Sequence, residues 1–316
     1  MEQSFEPLPD QGLSFLWLEL TSLCNLKCVH CYAESGPSLD STDVLNAENY
    51  QRLISSAASL GCRRLQFIGG EPTLHPALPE LIAHARKNQF DLVEVYTNAT
   101  RISDQLLSCF IDHDVSVATS FYSYSPGTHD AITNRPGSHA ATVRTLQRVV
   151  GSGLNTRVGI IVMDSNAEHI SETKKFLHEI GVEDIGTDRV RGLGRGAALV
   201  PDSPTPLLKE LCGSCWKGSV CIGPNGIVSP CIMAKAWSVG SLLDATLEAI
   251  VASDVLHDVR ERIYNEVWLR AMPVTSCIPS ECSPVCNPTC SPNCSPCYPH
   301  GRCNPELFCG PCGPGR

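Results

Sequence analysis

The 316-residue sequence contains no apolar run long enough to cross a bilayer. Its first residues, Met1-Glu2-Gln3-Ser4-Phe5-Glu6-Pro7, lack the basic and apolar regions of a secretory signal. No membrane partner is therefore expected, and a cytoplasmic location is. Basic charge is scarce as well. Lys and Arg number 24 against 33 Asp and Glu, a net charge of −9. A nucleic-acid binder needs a basic face, so nucleic acid is not an expected partner. Cysteine, by contrast, is abundant, with 18 residues. In a reducing compartment that number favours metal thiolates over a disulfide scaffold.

The cysteines are unevenly spread. Cys24, Cys28 and Cys31 form a C-x3-C-x2-C triplet in one short loop. A cubane iron–sulfur cluster has four irons, each needing an outer ligand. Three thiolates therefore leave one iron open to another molecule. The competing readings are a structural zinc site, a disulfide and chance spacing. Zinc more often shows paired C-x2-C units, or Cys and His pairs, that close four positions. His30, between two of the cysteines, is expected to point away from them. Cys62, after Gly61 at a helix-to-strand junction, and Cys109, in the apolar stretch Leu106 to Ile111, stand alone and read as small buried hydrophobes. Four cysteines follow between 212 and 231, and nine between 277 and 312.

Between residues 13 and 190, short apolar segments alternate with segments of helical period. Strands are expected at 16–20, 65–68, 92–96, 115–120, 157–163 and 185–190. Helices are expected at 47–60, 77–87, 103–112, 138–150 and 167–180. This alternation implies a parallel sheet. Six units give an α/β fold, an open partial (β/α)6 barrel, in which ligands gather at the carboxyl ends of the strands. The cysteine loop, Gly69-Gly70-Glu71-Pro72, Thr97-Asn98 and Ser120 all fall at such ends. Residues 1–12 read as an N-terminal extension, 13–191 as the barrel and 192–206, rich in Gly and Pro, as a linker. Residues 207–316 read as a small cysteine-rich domain, with a helix over 242–271 and a tail of Pro and Cys from Met272. Such a tail cannot build an apolar core and is either disordered or ordered by metal.

The triplet, with Tyr32 beside its last cysteine and Gly69-Gly70-Glu71-Pro72 after it, resembles the radical S-adenosylmethionine superfamily. The resemblance runs from Leu16 to about Trp237. It implies that Cys24, Cys28 and Cys31 hold a [4Fe–4S] cluster whose open iron is chelated by the methionine part of S-adenosylmethionine. One electron then cleaves the sulfonium C–S bond, and the 5′-deoxyadenosyl radical abstracts hydrogen from an unactivated carbon. Side-chain acids and bases cannot do this. An electron donor such as flavodoxin or ferredoxin is implied. Tyr32, Gly69 and Gly70 become expected cofactor neighbours, the glycines by allowing a sharp turn. Glu71 is expected to accept from the cofactor's ammonium. Asn98 and Ser120 are expected at its ribose and carboxylate, and Arg157 and Met163, flanking the fifth strand, at its adenine and carboxylate. The segment Thr128 to Ser138 also resembles the family and reads as a loop opening a helix.

Cys215, Gly226 and Cys231 stand in C-x10-G-x4-C spacing around a turn at Pro224-Asn225-Gly226. This is similar to the hairpin of SPASM and twitch extensions, which hold auxiliary iron–sulfur clusters. Cys215 and Cys231 are the expected ligands, with Cys212 beside them. Cys221 is a ligand or a spare thiol. In the tail, Cys294, Cys297 and Cys303 fit the C-x2-C-x5-C element, but the expected continuation fails at Cys309. One auxiliary [4Fe–4S] cluster and two remain alternatives.

A superfamily does not fix a reaction. The leading expectation is modification of a ribosomally made peptide, by cross-linking or epimerisation, in natural-product biosynthesis. The run Arg189 to Gly196 is similar to peptide-maturase members and reads otherwise as a basic linker. The peptide would be bound directly or through a separate recognition protein. The alternative is a sugar or aminoglycoside epimerase or dehydrogenase, with Cys221 as hydrogen donor because its S–H bond is weak. A non-catalytic iron–sulfur or zinc protein is the third reading, against which the intact triplet and Glu71 argue.

Overall fold

The computed structural model describes residues 12–38, 43–200 and 208–271. Cys294, Cys297 and Cys303, with the rest of the Pro/Cys-rich tail, lie outside the described residues. The first half reads β1 (Phe15–Glu19), α1 (Ala47–Ser59), β2 (Arg64–Ile68), α2 (Leu78–Lys87), β3 (Leu92–Thr97), α3 (Asp104–Asp112) and β4 (Ser116–Ser120). It continues with α4 (Pro126–Thr133), α5 (Ser138–Gly151), β5 (Thr156–Val162), α6 (Ile170–Ile180) and β6 (Asp184–Arg189). The second region adds β7 (Ser219–Ile222), β8 (Ile227–Ser229), β9 (Gly240–Ser241), α7 (Leu247–Val251) and α8 (Asp254–Ile263).

Local chemistry sets these elements. α1 opens on a capping box, in which Asn46 and Asn49 each accept from the other's backbone N–H at 2.9 Å. Its Tyr50, Leu53, Ile54 and Ala57 recur at helical spacing and are buried. In the strands the period is two. Leu16, Leu18, Leu65, Phe67, Val93, Val95, Val117, Val220 and Ile222 point outward into one apolar core with α1, α2 and α3. Val158 and Ile160 of β5 join a second core with Leu146 and Leu177 from α5 and α6. The alternate residues face inward and are largely polar, including Glu19, Gln66, Glu94, Tyr96, Ser120, Arg157 and Cys221. An ordinary parallel sheet is apolar on both faces; here the polar face is the one turned to the site.

The sheet runs β6-β5-β4-β3-β2-β1-β7-β8-β9. Strands β1 to β6 are parallel, as expected. The cysteine-rich region departs from the picture of an appended domain, because β7 pairs in parallel with β1, setting Cys221 opposite Trp17. The hairpin β7–β8 then turns at Gly226, whose φ is 80°.

Three further differences have local causes. Residues 128–138, expected as loop, include most of α4, which stops where Asn134 turns left-handed at φ 54°. The expected single helix over 242–271 breaks at Ala252, because the Ser253 side chain accepts from Leu256 N and caps a new helix. In the expected linker, residues Gly194–Leu199 form a 3₁₀ segment against the cysteine loop. Among the described residues, no helix is long and apolar enough to cross a membrane.

Candidate functional site

The cysteine loop leaves the carboxyl end of β1 and is held from several sides. Asp43 accepts from Thr21 Oγ1 at 2.6 Å, Ser22 N at 3.0 Å and Ser22 Oγ at 2.7 Å. The last carbonyls of α4 take the loop's N–H groups: Val29 N donates to Ile132 O at 3.0 Å and Lys27 N to Thr133 O at 3.3 Å. The end of β2 closes on the same loop. Gly70 N donates to Thr21 O at 2.7 Å and Glu71 N to Leu23 O at 2.8 Å. A Cβ on Gly70 would overlap the Leu23 carbonyl, and one on Gly69, where φ is 141°, would lie 2.6 Å from Thr21 O. These glycines are needed for close backbone approach.

One cavity opens at this rim. Of the residues expected around a cofactor, Cys24, Cys28, Cys31, Tyr32, Gly69, Gly70, Asn98 and Ser120 all line it. Asn98 donates to Asn25 Oδ1 at 2.6 Å and lies 3.7 Å from Cys24 Sγ. The mouth is shared by Asp188, Arg189 and Arg191 from the end of β6, and by Ile232 and Met233 from the cysteine-rich region.

Four expected residues are placed elsewhere. Glu71 is buried behind the cavity wall. Its Oε1 accepts from Thr73 N at 3.1 Å, Thr73 Oγ1 at 2.7 Å and Thr97 Oγ1 at 2.6 Å, and its Oε2 from Asn98 N at 2.7 Å. The carboxylate expected to grip an ammonium therefore fixes the loops after β2 and β3. Arg157 does not line the cavity; it is bidentate to Glu94 at 2.7 and 2.8 Å and 5.5 Å from the Tyr96 ring centre. Tyr96 in turn meets Ser120 Oγ at 3.0 Å. Met163 packs against Tyr122 and Ile132 and does not itself line the cavity. Cys221 is buried on the inward face of β7 and does not line the cavity. Burial pushes its thiol well up, and the Glu19 charge adds to this.

His30, for which only a direction away from the cysteines was expected, also lines the cavity, packed edge-on to Tyr122 at 4.9 Å. Burial holds its imidazole down to about 4, so it is neutral near pH 7. The His30 Nδ1 and Tyr32 hydroxyl are buried without hydrogen-bond partners among the described residues. Unpaired buried polar atoms are costly, which fits a site built for a polar ligand. Burial pushes the Cys24 and Cys28 thiols up to about 11 and 12. Metal binding must displace those protons. Three soft sulfur donors, a glycine cradle and orphaned polar atoms together suit a [4Fe–4S] cluster with a small polar cofactor on its free iron. Among the described residues no three His, Cys, Asp or Glu are placed to grip a single metal ion, whereas a cluster spreads its thiolates over several irons.

The second cysteine group also converges. Cys215 and Cys231 Sγ are 2.8 Å apart in a small core with Leu211 and Ile263. Hydrogen bonding from Cys215 draws the Cys212 thiol down to about 5, the Ser214 N–H and the Arg191 charge assisting. These three side chains could hold an auxiliary cluster. Between the two cysteine groups, Lys235 Nζ pairs with buried Glu19 at 2.8 Å and lies 5.7 Å from the Tyr32 ring centre.

Comparison with known proteins agrees with this arrangement. The profile of the Radical SAM superfamily matches residues 18–177, and that of the SPASM iron–sulfur cluster-binding domain matches 212–298. The antilisterial bacteriocin subtilosin biosynthesis protein AlbA of Bacillus subtilis is 27% identical over 270 residues, covering 76% of this chain and 59% of its own. The chain thus spans about three-fifths of that relative's length. Mycofactocin maturase MftC of Mycobacterium ulcerans is 24% identical over 292 residues, covering 85% and 78%. Among solved structures, Streptococcus suis SuiB bound to S-adenosylmethionine superposes with a TM-score of 0.63 at 15% identity, covering 79% and 68%. SuiB has also been solved with its precursor peptide SuiA. With the cysteine triplet, the glycine cradle and the second cysteine group in place, this chain belongs to the radical S-adenosylmethionine superfamily and carries a SPASM iron–sulfur domain.

Proposed function

We propose that the protein cleaves S-adenosylmethionine reductively and uses the resulting radical to modify a ribosomally made peptide. The observation that carries this reading is the shared cavity: the candidate cluster ligands Cys24, Cys28 and Cys31 line it together with Ile232 and Met233 of the cysteine-rich region. A [4Fe–4S] cluster bound there would supply the electron for reductive cleavage of the sulfonium C–S bond. The chain's own part is to place the reacting groups. Cys24, Cys28 and Cys31, which line the cavity, would hold the cluster. Gly69 and Gly70 let the end of β2 close on the cysteine loop, and Asn98, Ser120, Tyr96 and Tyr122 bound the cofactor's pocket. Asp188, Arg189 and Arg191 at the mouth offer both charges to a peptide's polar groups. Cys212, Cys215 and Cys231 would hold an auxiliary cluster, which would supply an electron acceptor for the product.

The peptide reading is supported by what AlbA and MftC are named for and by the SuiB–SuiA complex. Flavodoxin or ferredoxin is the natural class of electron donor. The test is direct: reconstitute the protein anaerobically, add S-adenosylmethionine and dithionite, and assay 5′-deoxyadenosine. Fully reconstituted protein that forms none overturns the radical reading. With a precursor peptide encoded beside the gene, loss of two hydrogens by mass marks a cross-link, and one solvent deuteron gained marks epimerisation. An unchanged peptide mass in both water and deuterium oxide, with 5′-deoxyadenosine still formed, sinks the peptide reading alone.

A further inference from the structure

Arg195 sits in the basic run 189–196, yet it differs from its neighbours. Arg189 pairs with Glu210 and Arg191 with Asp188. Arg195 turns to the cysteine loop instead. Its backbone N–H donates to Cys31 O at 3.0 Å, its Nε to Cys28 O at 2.8 Å and its Nη2 to Ser35 O at 2.8 Å. One residue thus holds the carbonyls of two of the three candidate cluster ligands. The flanking glycines make this approach feasible. Gly194 has φ 52°, and a Cβ there would overlap the Cys31 and Tyr32 carbonyls. A Cβ on Gly196 would overlap Arg191 O and lie 3.2 Å from His30 O. Arg195 does not line the cavity, so its effect must pass through the loop.

We infer that Arg195 is a positioning residue that fixes the cysteine loop and, by its permanent charge, raises the reduction potential of the cluster held there. The inference rests on the reading that Cys24, Cys28 and Cys31 hold that cluster. Adding an electron makes the cluster more negative, and a fixed cation behind its loop favours that state. Arginine suits the task because it stays protonated at any working pH and donates from a rigid fork. The guanidinium thereby assists a difficult one-electron reduction without touching cofactor or substrate.

The experiment uses the full chain, reconstituted anaerobically, as wild type, Arg195→Gln and Arg195→Lys. Iron per chain is measured first. Each protein is then titrated potentiometrically, following the EPR signal that changes when S-adenosylmethionine is added. Arg195→Gln is expected to be harder to reduce by about tenfold in the reduction equilibrium, ~59 mV for a one-electron couple. Arg195→Lys, which keeps the charge, is expected to stay within about threefold of wild type. Equal potentials in wild type and Arg195→Gln overturn the inference, as does an equal fall in both variants. Should Arg195→Gln fail to load iron, Arg195→Lys decides: loading near the wild-type potential supports the role of charge, and failure to load overturns it. A wild type with no cofactor-sensitive signal would instead sink the assignment of the triplet.

Discussion

Glu71 gathers four hydrogen bonds on one buried carboxylate. Hydrogen bonds to a charged acceptor contribute about 1.5–3 kcal/mol each, and stranded donors cost more. Glu71→Gln turns an NH₂ toward groups that themselves donate. The variant should lose about 3 kcal/mol of stability by urea unfolding and take up less iron, since Asn98 beside Cys24 is then released. A second residue offers a pH test. Burial, with the His139 charge second, holds His129 down to about 4. The unfolded imidazole titrates near 6.5. The unfolded chain therefore binds a proton that the folded one refuses, and stability is lost as pH falls from about 6.5 toward 4. Unfolding free energies from urea titrations at pH 7.5 and 5.5 should differ by about 1.4 kcal/mol more in wild type than in His129→Gln. Residue identity was legible in the triplet because spacing alone encodes three donors in one loop. The role of Glu71 was not, because its partners Thr73, Thr97 and Asn98 come together only when β2 and β3 pair.

At the scale of elements, the site is an assembly of turns pressed against one another. Gly70→Ala places a methyl group on the Leu23 carbonyl, and backbone cannot yield as a side-chain tip can. Iron per chain after reconstitution should fall to less than about half of wild type while far-UV circular dichroism stays unchanged, because the outer apolar core lies elsewhere. The alternation of β1 to β6 with their helices could be read from period and length. What misled was glycine. Gly192, Gly194 and Gly196 read as a linker by composition, yet a glycine that permits bends and one that permits close contact look alike in a sequence. α4 was hidden for a similar reason, since Pro126 and Gly127 at its start are also turn residues. Its terminal carbonyls nonetheless carry part of the cysteine loop.

For the whole molecule, the main point is that the two regions share one sheet and a buried ion pair. Lys235→Met leaves the Glu19 carboxylate buried without its cation. Removing one partner of a buried pair costs about 3–5 kcal/mol, and the half-exposed lysine reduces this to about 2 kcal/mol. Urea unfolding should register that loss, and Glu19→Gln in the same chain should restore most of it. The addition of β7 to β1 also sets how the molecule opens. A strand at the margin of a sheet frays alone, and its amides exchange early with solvent. β1, whose far end launches the cysteine loop, is flanked on both sides and has no such freedom. In deuterium exchange its amides and those of β7 should open together, on the slowest clock of the protein, so that the loop hangs from the part of the chain that moves last.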